Sequence, residues 1–452
     1  MRDQLFDALK RSTADYAEIR VSVEDSLDLA FRGPEAERAD AMSGRGGVVR
    51  ACTKGGWGVV SFDSLDNLPS QVEEACRCAA LVGRGRTELA PVPPVDAVRP
   101  AAMFADFRGV SLDDKIKLIQ RYNEIILKAS PAIQSTFVSY SESFRTVYFA
   151  STQGSYFMEE RPQARLGFGA AAREGALVQR TSDRVAATND YRRLLGRETL
   201  VLEVAERAVA LLKAPKCEGG THDVILDPDL AGLFIHEAFG HLSEADFLYE
   251  NQLLRNQMTL GREIGSKILN VVDDGTLPET RGFNTFDDEG TPTTRVPLIT
   301  AGVLTAHLHS RETAAKMGET PTGNARACQK NHAPIVRMRN TFIDNGNLPV
   351  DELFKGMDKG VYACFGHAGQ TEFEMFTFSA GYGYRVENGQ RGELLRDVAL
   401  TGNVFETLRR IDGIGNDLRI HPANCGKNMQ FPLPVTWGSP HVRVRDIIVG
   451  GK

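Results

Sequence analysis

The sequence predicts an α+β protein: a mixed α/β domain over residues 1–216, then a strand- and turn-rich domain over 217–452. Three observations point there. The chain has 452 residues, more than one hydrophobic core commonly serves, so two domains are expected. Amphipathic helical stretches interleave with alternating segments in the first half. Beyond residue 217, Asp/Gly clusters at 273–276 and 287–290 punctuate short apolar runs, the pattern of strands joined by turns.

Taken in order, the first dozen residues read as a helix. Tyr16–Val23 and Leu27–Phe31 alternate as half-buried strands, and 44–51 and 55–62 read as two more around glycine-rich turns. Gly55-Gly56-Trp57-Gly58 lacks the lysine and Ser/Thr pair of a phosphate-binding loop, so turn glycine is the better reading. Leu68–Val82 is a helix, Pro91-Val92-Pro93-Pro94 an exposed connection, and Ser111–Ala129 an amphipathic helix. Ile133–Tyr148 and Ala164–Ala172 read as strands, and Asp190–Leu212 as a helix. Lys213-Ala214-Pro215-Lys216 marks the boundary. This half holds no convincing catalytic constellation, and its expected work is support and assembly. In the second half, 296–300 and Val303–Leu308 read as strands, with Pro297 at a sheet edge or strand start. A strand at 380–386 enters a hairpin turn, and 441–449 closes the chain as a strand.

Hydrophobic content of 42% and charged content of 25% suit a soluble globular chain. A formal net charge of −6 argues against sequence-independent nucleic-acid binding, which needs a basic surface. No window approaches the roughly 18 apolar residues of a membrane span. The polar, amphipathic N-terminus lacks the apolar core of a signal peptide, so a cytoplasmic location is expected. Seven cysteines without framework spacing fit a reducing compartment.

The chemistry concentrates in Leu233-Phe234-Ile235-His236-Glu237-Ala238-Phe239-Gly240-His241-Leu242. Asp227-Pro228-Asp229 upstream reads as a helix start: a capping carboxylate, a proline at the first helical position, and an acid at the positive dipole end. Residues 222–226 before it read as a strand. Zinc hydrolases commonly place H-E-x-x-H on a helix. Here the spacing is H-E-x-x-x-H, and a five-residue step rotates roughly 140° on an ideal helix. His236 and His241 would then diverge. A single π-type bulge would bring them together, and Gly240 would ease the distortion. The bland alternative is a pair of bonded core histidines, although burying two of them with Glu237 unpaired costs several kcal/mol.

The stretch resembles the signature of the TldD family (the TldD/PmbA group, formerly labelled modulators of DNA gyrase), whose active members are zinc metallopeptidases. Further pieces match in order: 271–276, 286–293, Pro321-Thr322-Gly323-Asn324-Ala325-Arg326, 414–418 and Asn424-Cys425-Gly426-Lys427. The PmbA branch lacks the histidine motif, so the motif points to the metal-bearing branch. The resemblance implies a barrel-like β domain in the C-terminal half, carrying the metal helix. It implies one zinc per chain held by His236, His241 and Cys425, with Glu237 as general base toward metal-bound water. It also implies a peptide substrate and a dimer, formed with a PmbA-like paralogue or with a second copy. Thiolate is a good zinc ligand, and Gly426 would let the backbone turn close to the metal. Rival third ligands are Glu244 and Asp246, expected to be solvated, and His421, which has an alternative place behind the ligands. The acidic clusters at 273–274 and 287–289 are read as turn formers before cation ligands. Asn324 and Arg326 are candidates for contacting substrate or a partner chain. His367 departs from the glycine-rich stretch the family carries, as a substrate determinant or a surface histidine. Two alternatives stay open: a non-catalytic regulatory or binding protein, and a cysteine hydrolase using Cys425 with His421.

Overall fold

The computed structural model describes residues 1–451. In the first half a mostly antiparallel seven-stranded sheet runs in the order Gly56–Phe62, Glu35–Thr53, Tyr16–Arg32, Ile133–Ser151, Tyr156–Glu174, Asp96–Arg99, the last joining in parallel, with Leu177–Ala187 also pairing Tyr156–Glu174. Its strands are longer than the sequence pattern suggests. Tyr16–Arg32 is continuous across the two expected segments, and Gly44, Gly46 and Gly47 lie inside a strand and not at a turn. Helices Leu112–Ala129 and Glu198–Leu211 share one apolar core with this sheet, while Arg2–Leu9 and Leu68–Val82 share a second. The Leu112–Ala129 helix starts where the sequence places it, with Ser111 accepting the Asp114 N–H. The expected helix over 190–212 opens as a 3-10 turn at Tyr191–Leu194 before the α-helix begins.

The second half contains a closed five-stranded barrel, as the fold reading requires. Gly220–Leu226 lies between Lys359–Glu372 and Val442–Gly451. Val398–Asn403 follows, then Met375–Glu387, which pairs back to Lys359–Glu372 and closes the ring. Closure leaves those strands no free edge. Beside the barrel is a six-stranded sheet in the order Val303–Leu304, Arg295–Thr300, Val271–Asp274, Asn340–Ile343, Gln430–Ser439, Arg419–Lys427. Pro297 pairs Val272 on one side only: the ladder to Val303–Leu304 covers just Ile299 and Thr300, so the strand is locally an edge at the proline, and the register shifts between Pro297 and Ile299. The run after Leu304 leaves the sheet, and Leu308 instead bridges to Glu244.

The helix expected from Asp227 onward lies between barrel and sheet. It packs on the Lys359–Glu372 strand on one side and on the Gln430–Ser439 and Arg419–Lys427 strands on the other. Phe234 meets the barrel's Phe376 and Phe378 edge-to-face at 5.2 and 5.9 Å. Gly232 is required by space, since a Cβ there would lie 2.7 Å from Trp437 Cδ1.

The two halves meet through charge as well as apolar contact. Phe286 stacks on Phe157 at 5.0 Å. Asp288 pairs with Arg161 at 2.7 Å and Arg20 at 3.5 Å, and Glu289 pairs with Arg50 at 2.7 Å, all but the partly exposed Arg161 being buried. The turn reading of these acids therefore holds for only some of them. Asp287 accepts the Glu289, Thr291 and Ala325 N–H groups and shapes a turn, and Asp274 does the same for Thr276. Asp288, Glu289 and Asp273 are buried hubs, Asp273 binding Asn324, Arg339 and Thr341. Among the described residues, no helix is long and apolar enough to cross a membrane.

Candidate metal centre

The site is assembled by one helix and one strand. Asp227 Oδ1 accepts the Leu230 N–H at 2.8 Å, and Pro228 occupies the first helical turn. Asp227 is buried, and that burial, reinforced by the neighbouring charge of Asp229, pushes its carboxyl up to about 7. Asp229 does more than suit the dipole. It anchors the helix to the far wall through Arg184 at 2.7 Å and Trp437 Nε1 at 2.8 Å.

After Phe234 the α-helix gives way to a π-helical segment, Ile235–Gly240, in which the His241 N–H donates to the His236 carbonyl five residues back. This is the distortion that the five-residue spacing requires, and it turns the two imidazoles toward each other with ring centroids 5.4 Å apart. Gly240 contributes in a different way from the one expected. Its backbone is ordinary right-handed helix, φ −57° and ψ −46°. A Cβ there would fall 2.1 Å from Met338 Sδ, so glycine is required for close approach and not for backbone freedom.

Cys425 arrives on the Arg419–Lys427 strand, 2% exposed, with Sγ 3.4 Å from His241 Nε2. One ligand atom from each of His236, His241 and Cys425 lies within 4.8 Å of the others. His236 is fully buried, yet neither of its ring nitrogens has a hydrogen-bond partner. Orphaned nitrogens in a dry interior cost several kcal/mol, and a cation among these three groups would take up one of the two. Burial raises the Cys425 thiol, but the charges of His236 and His241 outweigh it and hold the thiol well below its ordinary value. Two imidazoles and one thiolate form a donor set suited to zinc, with a fourth position left for water or substrate.

Glu237 projects from the same turn, with Oε2 3.8 Å from His241 Nε2 and a quarter of its side chain exposed. Glu244, expected to be solvated, is fully buried. Its Oε2 accepts from His241 Nδ1 at 2.9 Å and from Lys427 Nζ at 3.1 Å, and its Oε1 accepts the Met338 N–H at 3.2 Å. Burial opposes that charge, but Lys427 and His241 prevail and hold the Glu244 carboxyl at about 2. Glu244 is thus an orienting group behind His241, fixing which nitrogen faces the cluster. Asp246 also binds Lys427, at 2.6 Å. Lys427 closes the Cys425-Gly426-Lys427 segment, and its role is set by the fold, which brings it to Glu244. Gly426 has no crowding that demands glycine, its nearest contact for a Cβ being 3.3 Å, and the register shift between Cys425 and Lys427 re-aims the strand instead. His421 sits 3.7 Å from Asp229 and is not in the cluster. Asn324 and Arg326 are buried structural donors, and His367 is exposed.

A helix interrupted by a π-turn thus brings two histidines and a cysteine to one point, a donor set that could hold a metal ion. Comparison with known proteins agrees. Three family profiles match: PmbA/TldA metallopeptidase domain 1 over 17–81, the central domain over 105–212, and the C-terminal domain over 219–451. A metalloprotease of Synechocystis sp. is 41% identical over 98% of this chain and 96% of its own length. A zinc metalloprotease TldD homolog of Saccharolobus solfataricus is 31% identical over 75% of this chain and 76% of its own. The chain belongs to the PmbA/TldD metallopeptidase family. Two solved structures share the fold: a putative modulator of DNA gyrase from Thermotoga maritima (TM-score 0.81, 22% identity, 99% of each chain) and TldE from Thermococcus kodakarensis (TM-score 0.78, 17% identity, 100% of each).

Proposed function

We propose that the chain is a zinc-dependent peptidase acting on peptides or unfolded segments, with His236, His241 and Cys425 as ligands and Glu237 as general base. The observation that carries this reading is the convergence of the three ligand atoms around a buried His236 that has no other partner. When bound there, a zinc ion supplies Lewis acidity toward a peptide carbonyl.

The chain's own groups do the rest. Glu244 holds the His241 Nδ1–H, so Nε2 faces the cluster. Burial of His236 and Cys425 keeps bulk water from competing. Glu237, partly exposed at the rim, takes the proton of an attacking water on a carboxylate oxygen and passes it to the departing amide nitrogen. In this reading residues 1–216 support and assemble, residues 217–452 carry the chemistry, and the active form is a dimer with a paralogue lacking the motif or with a second copy.

The test is Glu237→Gln. The variant should keep its metal and lose about 10²–10⁴-fold in peptide turnover, the usual share of a general base. Equal loss of zinc would make Glu237 a ligand. Turnover that survives in Glu237→Gln and resists chelation would replace this reading with cysteine hydrolysis.

A further inference from the structure

His307, His309 and Glu319 form a second cluster outside the site described above. One ligand atom from each lies within 4.8 Å of the others. His307 Nδ1 is 3.0 Å from both carboxylate oxygens of Glu319, and His309 Nε2 is 3.0 Å from Oε2. The far nitrogen of each ring is also taken: His307 Nε2 is 2.8 Å from the Met258 carbonyl and His309 Nδ1 is 3.1 Å from Thr313 Oγ1.

That pattern carries information about protons. A carbonyl only accepts, so His307 Nε2 bears the hydrogen. Its Nδ1 then faces the two carboxylate oxygens of Glu319, where a positive charge is needed, supplied by a second ring proton or, in its place, by a metal ion held by Nδ1 and the carboxylate. Both histidines are buried, at 3% and 1% exposure, whereas the Glu319 side chain is 18% exposed. The cluster is therefore dry on the histidine side and open on the carboxylate side, where an ion could enter and a water complete its coordination. Histidine ligands tied through the far nitrogen to an oxygen are the usual orienting arrangement at metal sites, and two imidazoles with one carboxylate suit first-row divalent ions.

We infer that His307, His309 and Glu319 bind a second divalent metal ion, of the zinc class, separate from the His236/His241/Cys425 centre. The ligands come from two segments, the stretch after Val303–Leu304 and the turn after helix Arg311–Met317, and the Met258 carbonyl braces His307 from a third. Leu308, between the two histidines, donates to Ser243 O at 2.8 Å and accepts from Ala245 N at 2.9 Å, so an ion here would brace the backbone on both sides of Glu244.

The test is zinc content after stripping with chelator, reloading with excess zinc and exhaustive dialysis. The wild type should hold about two equivalents per chain, and His309→Ala and Glu319→Gln about one each. Glu319→Gln preserves shape, which guards against a folding defect in the alanine variant. Cobalt(II) titration of the wild type is a second readout: one equivalent should give thiolate-to-metal charge-transfer absorption and the next only visible ligand-field bands. The thiolate band should survive in His309→Ala. Wild type saturating at about one equivalent, with the same content in both variants, would overturn the inference. A Cys425→Ala chain that loses no metal while Glu319→Gln loses one equivalent would leave this site standing and remove the first.

Discussion

At the scale of the residue, the site divides into groups whose chemistry is written in the sequence and groups whose role depends on burial. Glu244 belongs to the second kind. It holds the His241 Nδ1–H while Lys427 balances its charge, with almost no solvent reaching either. Glu244→Gln keeps an acceptor for the imidazole but removes the charge, and should weaken zinc binding by about 10–100-fold, measured by competition with a chromogenic chelator. Unchanged affinity would mean that His241 is oriented by the backbone alone. His236, Glu237 and His241 were legible because three functional side chains in six positions are hard to hide in an apolar run. Cys425 became legible only through the resemblance carried by Cys425-Gly426-Lys427, one cysteine among seven being unremarkable otherwise. Glu244 was misread as solvated because a carboxylate near a helix end ordinarily is, and its burial is set by Lys427, 183 positions away.

At the scale of the element, the five-residue spacing between the histidines was enough to require a π-turn, and Ile235–Gly240 forms one. The reason for Gly240 was not legible, since Met338 reaches it from a segment about a hundred residues later. Gly240→Ala should cost about 1–3 kcal/mol, the usual penalty of an overpacked core, read by denaturant unfolding, and should also weaken metal binding as the π-segment shifts. A variant as stable as the wild type would mean that the buried methionine repacks freely. The longest strands were underestimated for a related reason. Solvated or glycine-bearing stretches such as 35–47 break the alternation while cross-strand pairing continues, so Glu35–Thr53 extends well beyond its apolar core. Pro297 was assigned to an edge because a proline cannot donate to a ladder; its strand is interior in the sheet order, but the second ladder stops at Ile299 and leaves the proline paired on one side only.

At the scale of the molecule, the α+β class and the barrel were within reach of the sequence, but the buried ion network joining the halves was not. Asp288 lies 127 positions from Arg161 and 268 from Arg20. Burial opposes its charge, yet the two arginines hold its carboxyl well below the ordinary range. Because the folded pKa is depressed, the stabilisation is present in full above the unfolded carboxylate value of about 4 and is lost as pH falls below it. Asp288→Asn should cost about 3–5 kcal/mol at neutral pH, by leaving Arg161 and Arg20 undercompensated, and should flatten the fall of stability on the acid side. Equal acid sensitivity in variant and wild type would assign that slope to other carboxylates. The most direct test of the central claim, that His236, His241 and Cys425 hold the catalytic metal, is the absorption spectrum of the cobalt(II)-loaded chain and of its Cys425→Ala variant. A thiolate-to-cobalt charge-transfer band is expected in the wild type and is expected to be absent from the variant. A wild type without that band, or a band that persists in Cys425→Ala, would contradict it.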